Sequence, residues 1–282
     1  MKNSVLLVLS LISLSILSCQ QSHTKPPKKA IVRNEPKKFT YSLLKTKDWF
    51  EKNKTDSTKI AIVLATNRVD KNTVSKLDSI IVPTDFSGDI VYYLPFPLEV
   101  SFLNEVDKII LFSYATQSFG AYENGVLVYA GPTNMGRKKD PTPTGLFFTN
   151  WKAEKTTSTF NDEWDLKWNF NIENKLGVGF HEYELPGYPA SHSCLRLQEK
   201  DAKFLYEFAD QWILKDKENI AVKGTPVVVF GSYDFDAKKP WLEVINNPKA
   251  LQFSADEIEK VTSQYLTKIL AEQTIKNNYT SK

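Results

Sequence analysis

Cysteine and histidine are scarce: the 282-residue chain has two of the first and three of the second. A disulfide-stapled scaffold needs several paired cysteines, and a structural zinc site needs about four Cys or His ligands. Cys19, Cys194, His23, His181 and His192 are the whole supply, so neither class fits, and no metal or other cofactor is expected. An excess of one charge is missing too. Lys and Arg number 36 against 33 Asp and Glu, a formal net charge of +3. No basic cluster is interleaved with aromatics, so nucleic acid is not an expected partner. Internal repeats are absent. Long apolar runs are absent except at the N-terminus, where Lys2 precedes residues 5–17, interrupted only by serines. That run is too short to span a bilayer and reads as a secretory signal.

What is present is ordinary in bulk. A hydrophobic share of 41% with 24% charged residues can build a core, with room for one substantial domain plus extensions or two small domains. The apolar run closes on Ile16-Leu17-Ser18-Cys19, which resembles the lipobox of bacterial lipoproteins. The resemblance implies a signal over 1–18, a diacylglycerol on Cys19, and membrane attachment through that lipid. If Cys19 carries lipid, Cys194 is a lone thiol, a liability in an exported protein unless its reactivity is used. Residues 19–38 hold Pro26-Pro27-Lys28-Lys29 and Pro36-Lys37-Lys38; too polar to fold, they read as a tether.

Residues 39–100 read as a small α+β module, with a helix over 42–50, a strand over 60–64 and a polar stretch ending in the apolar run 80–82. The stretch over 78–83 is similar to the second half of a LysM glycan-binding repeat; a plain βαβ-like appendage is the other reading. From Lys108 the texture turns to strands. Residues 109–114 and 126–129 flank a turn at Glu123-Asn124-Gly125, where Asn-Gly suits a tight hairpin. Thr142-Pro143-Thr144-Gly145 leads into the run 146–148, and 151–174 reads as a loop or insertion. Residues 177–180 form a short strand ending at His181. Phe204, Leu205, Phe208 and Trp212 have helical spacing, and 225–230 is a buried strand. The last segment, 235–282, carries the capping box Ser254-Ala255-Asp256-Glu257, then Ile258, Val261, Tyr265 and Ile269 on one helical face.

The chemistry lies between His181 and Leu197. A thiol nucleophile needs a base in reach, a partner fixing that base's tautomer, and N–H groups aimed at the oxyanion. Two of the three histidines, His181 and His192, closely precede Cys194, and Pro186, Gly187 and Pro189 make the connection a turning loop. The string Ser191-His192-Ser193-Cys194-Leu195-Arg196-Leu197, with His181 upstream, resembles the YkuD-type L,D-transpeptidase catalytic domain. Its hallmark is His, a variable loop, then Ser-His-Gly-Cys, an apolar residue, Arg and another apolar residue. The Asn124-Gly125 hairpin, Thr142–Gly145, Asp201 and Gly224-Thr225-Pro226-Val227 follow in family order.

The resemblance implies a mostly β protein. A YkuD-like β-sandwich catalytic domain over 101–234 lies between the N-terminal module and a C-terminal helical extension. It implies a transferase in which Cys194 attacks a carbonyl in a peptidoglycan stem peptide, a terminal D-residue leaves, and an amine of another stem resolves the thioester. His181 matches the base, oriented by the carbonyl of Glu182. His192 matches the second histidine, and Arg196 supports the loop and a potential favouring thiolate. Gly179, Ser191 and Ser193 are expected to support the site, and the Cys194 N–H to meet the oxyanion. The expected place is the cell envelope, lipid-anchored and periplasm-facing, in the outer membrane of a Gram-negative bacterium. One departure stands out: Ser193 replaces the family glycine, and serine fits there if φ stays negative. Rival readings are a hydrolase of the same fold, in which water resolves the thioester, and a non-catalytic wall-binding lipoprotein. A salt bridge from Arg196 to Asp201 is a structural alternative for that arginine, and Trp151, Trp164, Trp168, Tyr183 and Tyr188 are candidates for lining a groove.

Overall fold

The computed structural model describes residues 31–157 and 165–280. The signal over 1–18, Cys19, His23, most of the tether and Trp164 lie outside the described residues. The described part opens with β1 (Tyr41–Lys45), α1 (Thr46–Asn53), α2 (Ser57–Asn67) and β2 (Ser79–Pro83), β1 pairing antiparallel with β2. Two expectations change here. The run 60–64 is helix, not strand: Asp56 caps α2 by accepting from Lys59 N–H at 3.0 Å. A short apolar run fits a buried helix as well as a strand, and periodicity alone does not separate them. The helix expected over 42–50 starts only at Thr46, because 41–45 pairs as a strand edge.

The body follows: β3 (Lys108–Ser113), β4 (Ser118–Glu123), β5 (Val126–Pro132), β6 (Gly145–Phe148), β7 (Lys152–Thr157), β8 (Asp165–Glu173), β9 (Val178–Glu182), β10 (Leu195–Leu197), α3 (Glu199–Phe208), β11 (Ile213–Leu214), β12 (Ile220–Val222), β13 (Pro226–Phe230) and α4 (Ala255–Thr280). One sheet has the order β5-β4-β3-β13-β6, with β3 and β13 parallel. The other runs β10-β9-β8-β7, with β10 and β9 parallel. Ile110, Phe112, Val227 and Val229 from the first sheet share a core with Phe170, Phe180, Leu195 and Leu197 from the second, and α3 adds Ala202 and Leu205. The outer face of the first sheet is covered too. Ile109, Leu111 and Val228 pack with Leu94, Phe96, Leu103 and, from α4, Ile258 and Ile269. A strand covered on both faces reads as a continuous apolar run, as Lys108–Ser113 does.

The expected Asn-Gly turn is present, but it joins β4 to β5: Glu123 pairs with Val126, and Asn124 and Gly125 have φ of 47° and 75°. Strand β4 was not expected, because Gly120 and Ala121 weaken its apolar signal. Gly120 is needed there, since a Cβ would meet the Phe96 ring at 2.8 Å. Within the segment 151–174, expected as a loop or insertion, Lys152–Thr157 and Asp165–Glu173 are paired strands. β7 is largely exposed, and the β8–β9 register shifts twice, erasing the period-2 pattern. At the C-terminal end the capping box forms, with Ser254 N–H donating to Glu257 Oε2 at 2.8 Å and Glu257 N–H to Ser254 Oγ at 3.1 Å. Residues 39–100 and 235–282 fall with the body in one compact unit, Ile31–Lys282. Among the described residues no helix is long and apolar enough to cross a membrane.

Candidate active site

Strand alternation places the candidate side chains. Leu195 pairs with Phe180 and Arg196 with His181 on parallel β10 and β9. Leu195, Leu197, Val178 and Phe180 point into the core, so Cys194, Arg196, Gly179 and His181 share the opposite face. Carried one step back, the register sets Cys194 beside Gly179, with His181 two residues further along the same face. Glycine leaves that face open between thiol and imidazole. It also meets a backbone demand, since a Cβ at Gly179 would lie 2.5 Å from the Phe170 carbonyl oxygen of β8.

His181 is buried, 4% exposed, and its Nδ1 lies 2.9 Å from the Glu182 carbonyl oxygen. A carbonyl only accepts, so Nδ1 carries the proton and Nε2 keeps the lone pair a base needs. Burial first, then the Arg196 charge, pushes the imidazole down to about 4, against the raising pull of the Glu182 carbonyl. Cys194 is partly exposed, with Sγ 3.8 Å from the Gly177 carbonyl oxygen. Burial raises the thiol, and the Gly179 N–H and Arg196 offset this only in part. Both groups are therefore neutral at pH 7. Arg196 favours thiolate as expected, but desolvation outweighs it.

Arg196 does not pair with Asp201. Its guanidinium lies over the Tyr183 ring, 4.3 Å from the centroid. Asp201 is buried, accepts from Tyr129 OH at 2.7 Å, and is raised to about 6 chiefly by burial. His192 sits on the other side of the nucleophile, its Nε2 3.9 Å from Asp140. Burial and the Arg137 charge keep it below the ordinary histidine value.

The nucleophile loop is pinned by hydrogen bonds. Ser191 Oγ donates to the Cys194 carbonyl at 2.5 Å, and Arg137 N–H donates to the Ser191 carbonyl at 3.0 Å. Thr142 Oγ1 accepts from Gly136 N–H and donates to the Ser193 carbonyl, each at 2.8 Å. Asn134 exchanges both backbone hydrogen bonds with Arg196, and Gln117 Oε1 holds Met135 N–H at 2.8 Å. Ser193 has φ of 77°, so the backbone keeps the glycine-like conformation although the residue is serine. The expectation of a negative φ is overturned.

Sequence reasoning missed a clamp on the loop between His181 and Cys194. Beyond the left-handed cap Arg68, Asp70 Oδ2 accepts from Leu185 N–H and Thr73 Oγ1 donates to the Leu185 carbonyl, both at 2.5 Å. The Asp-x-x-Thr spacing, which turns the chain through Asp70 Oδ1 and Thr73 N–H at 2.9 Å, was the available signal. Of the aromatics, Tyr183 lies beside His181 with ring centroids 6.1 Å apart, and Tyr188 is exposed on the loop beneath Lys239. Trp168 in β8 packs edge-on against Tyr206, and Trp151, just before β7, donates to Asn174. Among the described residues no group of three or more Cys, His, Asp or Glu is placed to hold a metal ion.

No curated protein matches the chain. Solved structures do. The L,D-transpeptidase (Yku) of Stackebrandtia nassauensis is 24% identical over 45% of this chain and 57% of its own, with a TM-score of 0.38. A mutant L,D-transpeptidase of Enterococcus faecium is 23% identical over 44% of this chain and 50% of its own, TM-score 0.36. Mycobacterium tuberculosis L,D-transpeptidase 1 is 18% identical over 44% and 62%, TM-score 0.34. The chain thus spans less than two thirds of the length of each. The family model of YkuD, the L,D-transpeptidase catalytic domain, matches residues 107–229, the stretch that carries His181, His192, Cys194 and Arg196.

Proposed function

We propose that the chain is a peptidoglycan L,D-transpeptidase that acts on stem peptides through a thioester on Cys194. The observation that carries this reading is the shared face of β9 and β10, which holds Cys194, Gly179 and a His181 imidazole whose Nδ1 is oriented by the Glu182 carbonyl. The match over 107–229 supports it.

In the proposed reaction Cys194 Sγ attacks the stem carbonyl as its proton passes to His181 Nε2. The Cys194 N–H meets the developing oxyanion. The D-residue leaves as its amine, taking the proton from His181, and an incoming amine then displaces the sulfur. His192, held toward Asp140, supports the nucleophile loop. Ser193 keeping a positive φ speaks against a decayed site, because the loop geometry persists at a cost no inert loop needs to carry. We place the protein in the cell envelope, exported by residues 1–18 and anchored through lipid on Cys19, facing the periplasm from the outer membrane.

Mass spectrometry of tetrapeptide muropeptides incubated with the protein should show cross-linked or amine-exchanged products, and intact protein should gain an acyl mass. A wild-type protein that neither gains that mass nor alters any muropeptide refutes the proposal. Loss of detergent-phase partitioning in Cys19→Ala tests the anchor; wild-type protein found free in the periplasm without lipid mass overturns it.

A further inference from the structure

A second concavity adjoins the site. It encloses about 420 Å³ between α2, the turn at 70–72, the end of β9 and the start of α3, and Cys194 does not line it. Its floor is apolar, with Ile60, Ala61 and Leu64 of α2 facing Tyr183. Its rim is acidic: Asp70, Glu182, Glu184 and Glu199 stand against Lys71 and Lys200. Burial, then the Glu199 and Asp70 charges, push Glu182 above the ordinary glutamate value against the pull of Lys167. Tyr183 joins this groove to the chemistry. Its ring lies 6.1 Å from that of His181 and carries the Arg196 guanidinium on its face.

Around His192, burial and the Arg137, Arg196 and Lys139 charges press the imidazole toward its neutral form against the pull of Asp140. The α2 wall and the turn at 70–72 lie outside the 107–229 match, so this chain adds the groove to the catalytic body.

We propose that the groove beside Tyr183 binds the amine-bearing side chain of the acceptor peptide, its methylenes on the α2 floor and its ammonium among the rim carboxylates. This rests on the transpeptidase reading. The ammonium gives up one proton to solvent on leaving the rim, and the neutral nitrogen attacks the thioester carbonyl. The C–N bond forms, the C–S bond breaks, and the second amine proton passes by way of neutral His181 to the departing sulfur, restoring the thiol. A ligand with a carboxylate in place of the amine is repelled.

The test uses Nα-acetyl-L-lysine amide as acceptor probe and the exposed pair Glu184→Lys/Glu199→Lys, with Ala61→Trp to fill the floor. Each variant should form the acyl-enzyme with a tetrapeptide donor at the wild-type rate, while its KM for the probe rises by about tenfold or more, the charge-reversal effect shrinking with added salt. An unchanged KM in both variants overturns the groove. Binding of the probe to Cys194→Ala, followed by NMR, separates the two readings. A wild-type protein that never acylates sinks the transpeptidase assignment alone. Probe binding that is absent, or that survives both variants, sinks the groove whatever the enzyme does.

Discussion

Replacing Ser193 by glycine isolates what the nucleophile loop costs the fold. Ser193 has φ of 77°, where an L side chain costs about 1–2 kcal/mol. Glycine removes that strain but restores backbone freedom to the unfolded chain, a loss of about 0.4–1 kcal/mol. It also forfeits the contact from Ser193 Oγ to the Asp140 carbonyl, which at 3.3 Å is weak. The balance favours Ser193→Gly by about 0.5–1 kcal/mol, or roughly 2 °C in Tm for a body of this size. Ser193→Val should go the other way by more, because a β-branched side chain tolerates positive φ least. Urea unfolding with a common m-value is the assay. Acylation by a tetrapeptide donor should survive in Ser193→Gly, since Thr142 still holds the 193 carbonyl at 2.8 Å. A clear destabilisation by glycine, with m unchanged, would show that the serine side chain supports the loop and that the strain argument is wrong.

Cys194→Ala should show no acyl mass with donor or carbapenem, and Cys194→Ser at most a trace; an adduct on the alanine variant moves the nucleophile elsewhere. His181→Ala should slow acylation by about 10²–10⁴-fold, with His192→Ala costing less in rate and more in stability; the reverse order in stopped-flow acylation would exchange their roles. Because His181 titrates near 4, its base form persists from neutral pH down to that value, so the acid limb of acylation should fall near pH 4, not near 6.5. Asp201, raised to about 6, binds a proton more tightly folded than unfolded, so its stabilising contribution is complete below about pH 4 and lost as pH rises through about 6. Asp201→Asn, which keeps an acceptor for Tyr129, should recover up to about 3 kcal/mol at pH 7; identical pH–stability curves for the two proteins would discount the buried carboxyl.

The core strands were legible because burial writes itself into composition. Residues 109–112 and 226–230 are continuous apolar runs, and they lie in the strands covered on both faces. The elements that were not legible bury least or pack against the unexpected. β7 exposes most of its side chains, and β4 hides behind Gly120 and Ala121. The run 60–64 declared burial but not geometry, and only the Asp56 cap decides for helix. Within the candidate site, His181 and Cys194 stand out by residue type and spacing, and Arg196 by the resemblance to the YkuD-type domain. What fixes them does not, because Thr142, Asn134 and Asp70 reach them or their loop through long-range hydrogen bonds.

Those bonds bear on how the proposed reaction begins. Burial raises the thiol and lowers the imidazole at once, so the resting pair is neutral and an ion pair is disfavoured from both ends. The S–H lies toward the Gly177 carbonyl, and the proton reaches His181 only as the sulfur attacks. Charge then appears on sulfur and substrate oxygen in the transition state, beside Arg196 and the Gly179 N–H, which in the ground state face a neutral thiol. Interactions that strengthen only there lower the barrier without tightening the ground state. The positive φ at Ser193 and the bonds from Thr142 and Ser191 hold that geometry before substrate arrives, and such preorganisation is worth its strain because the donors need not reorient as charge develops.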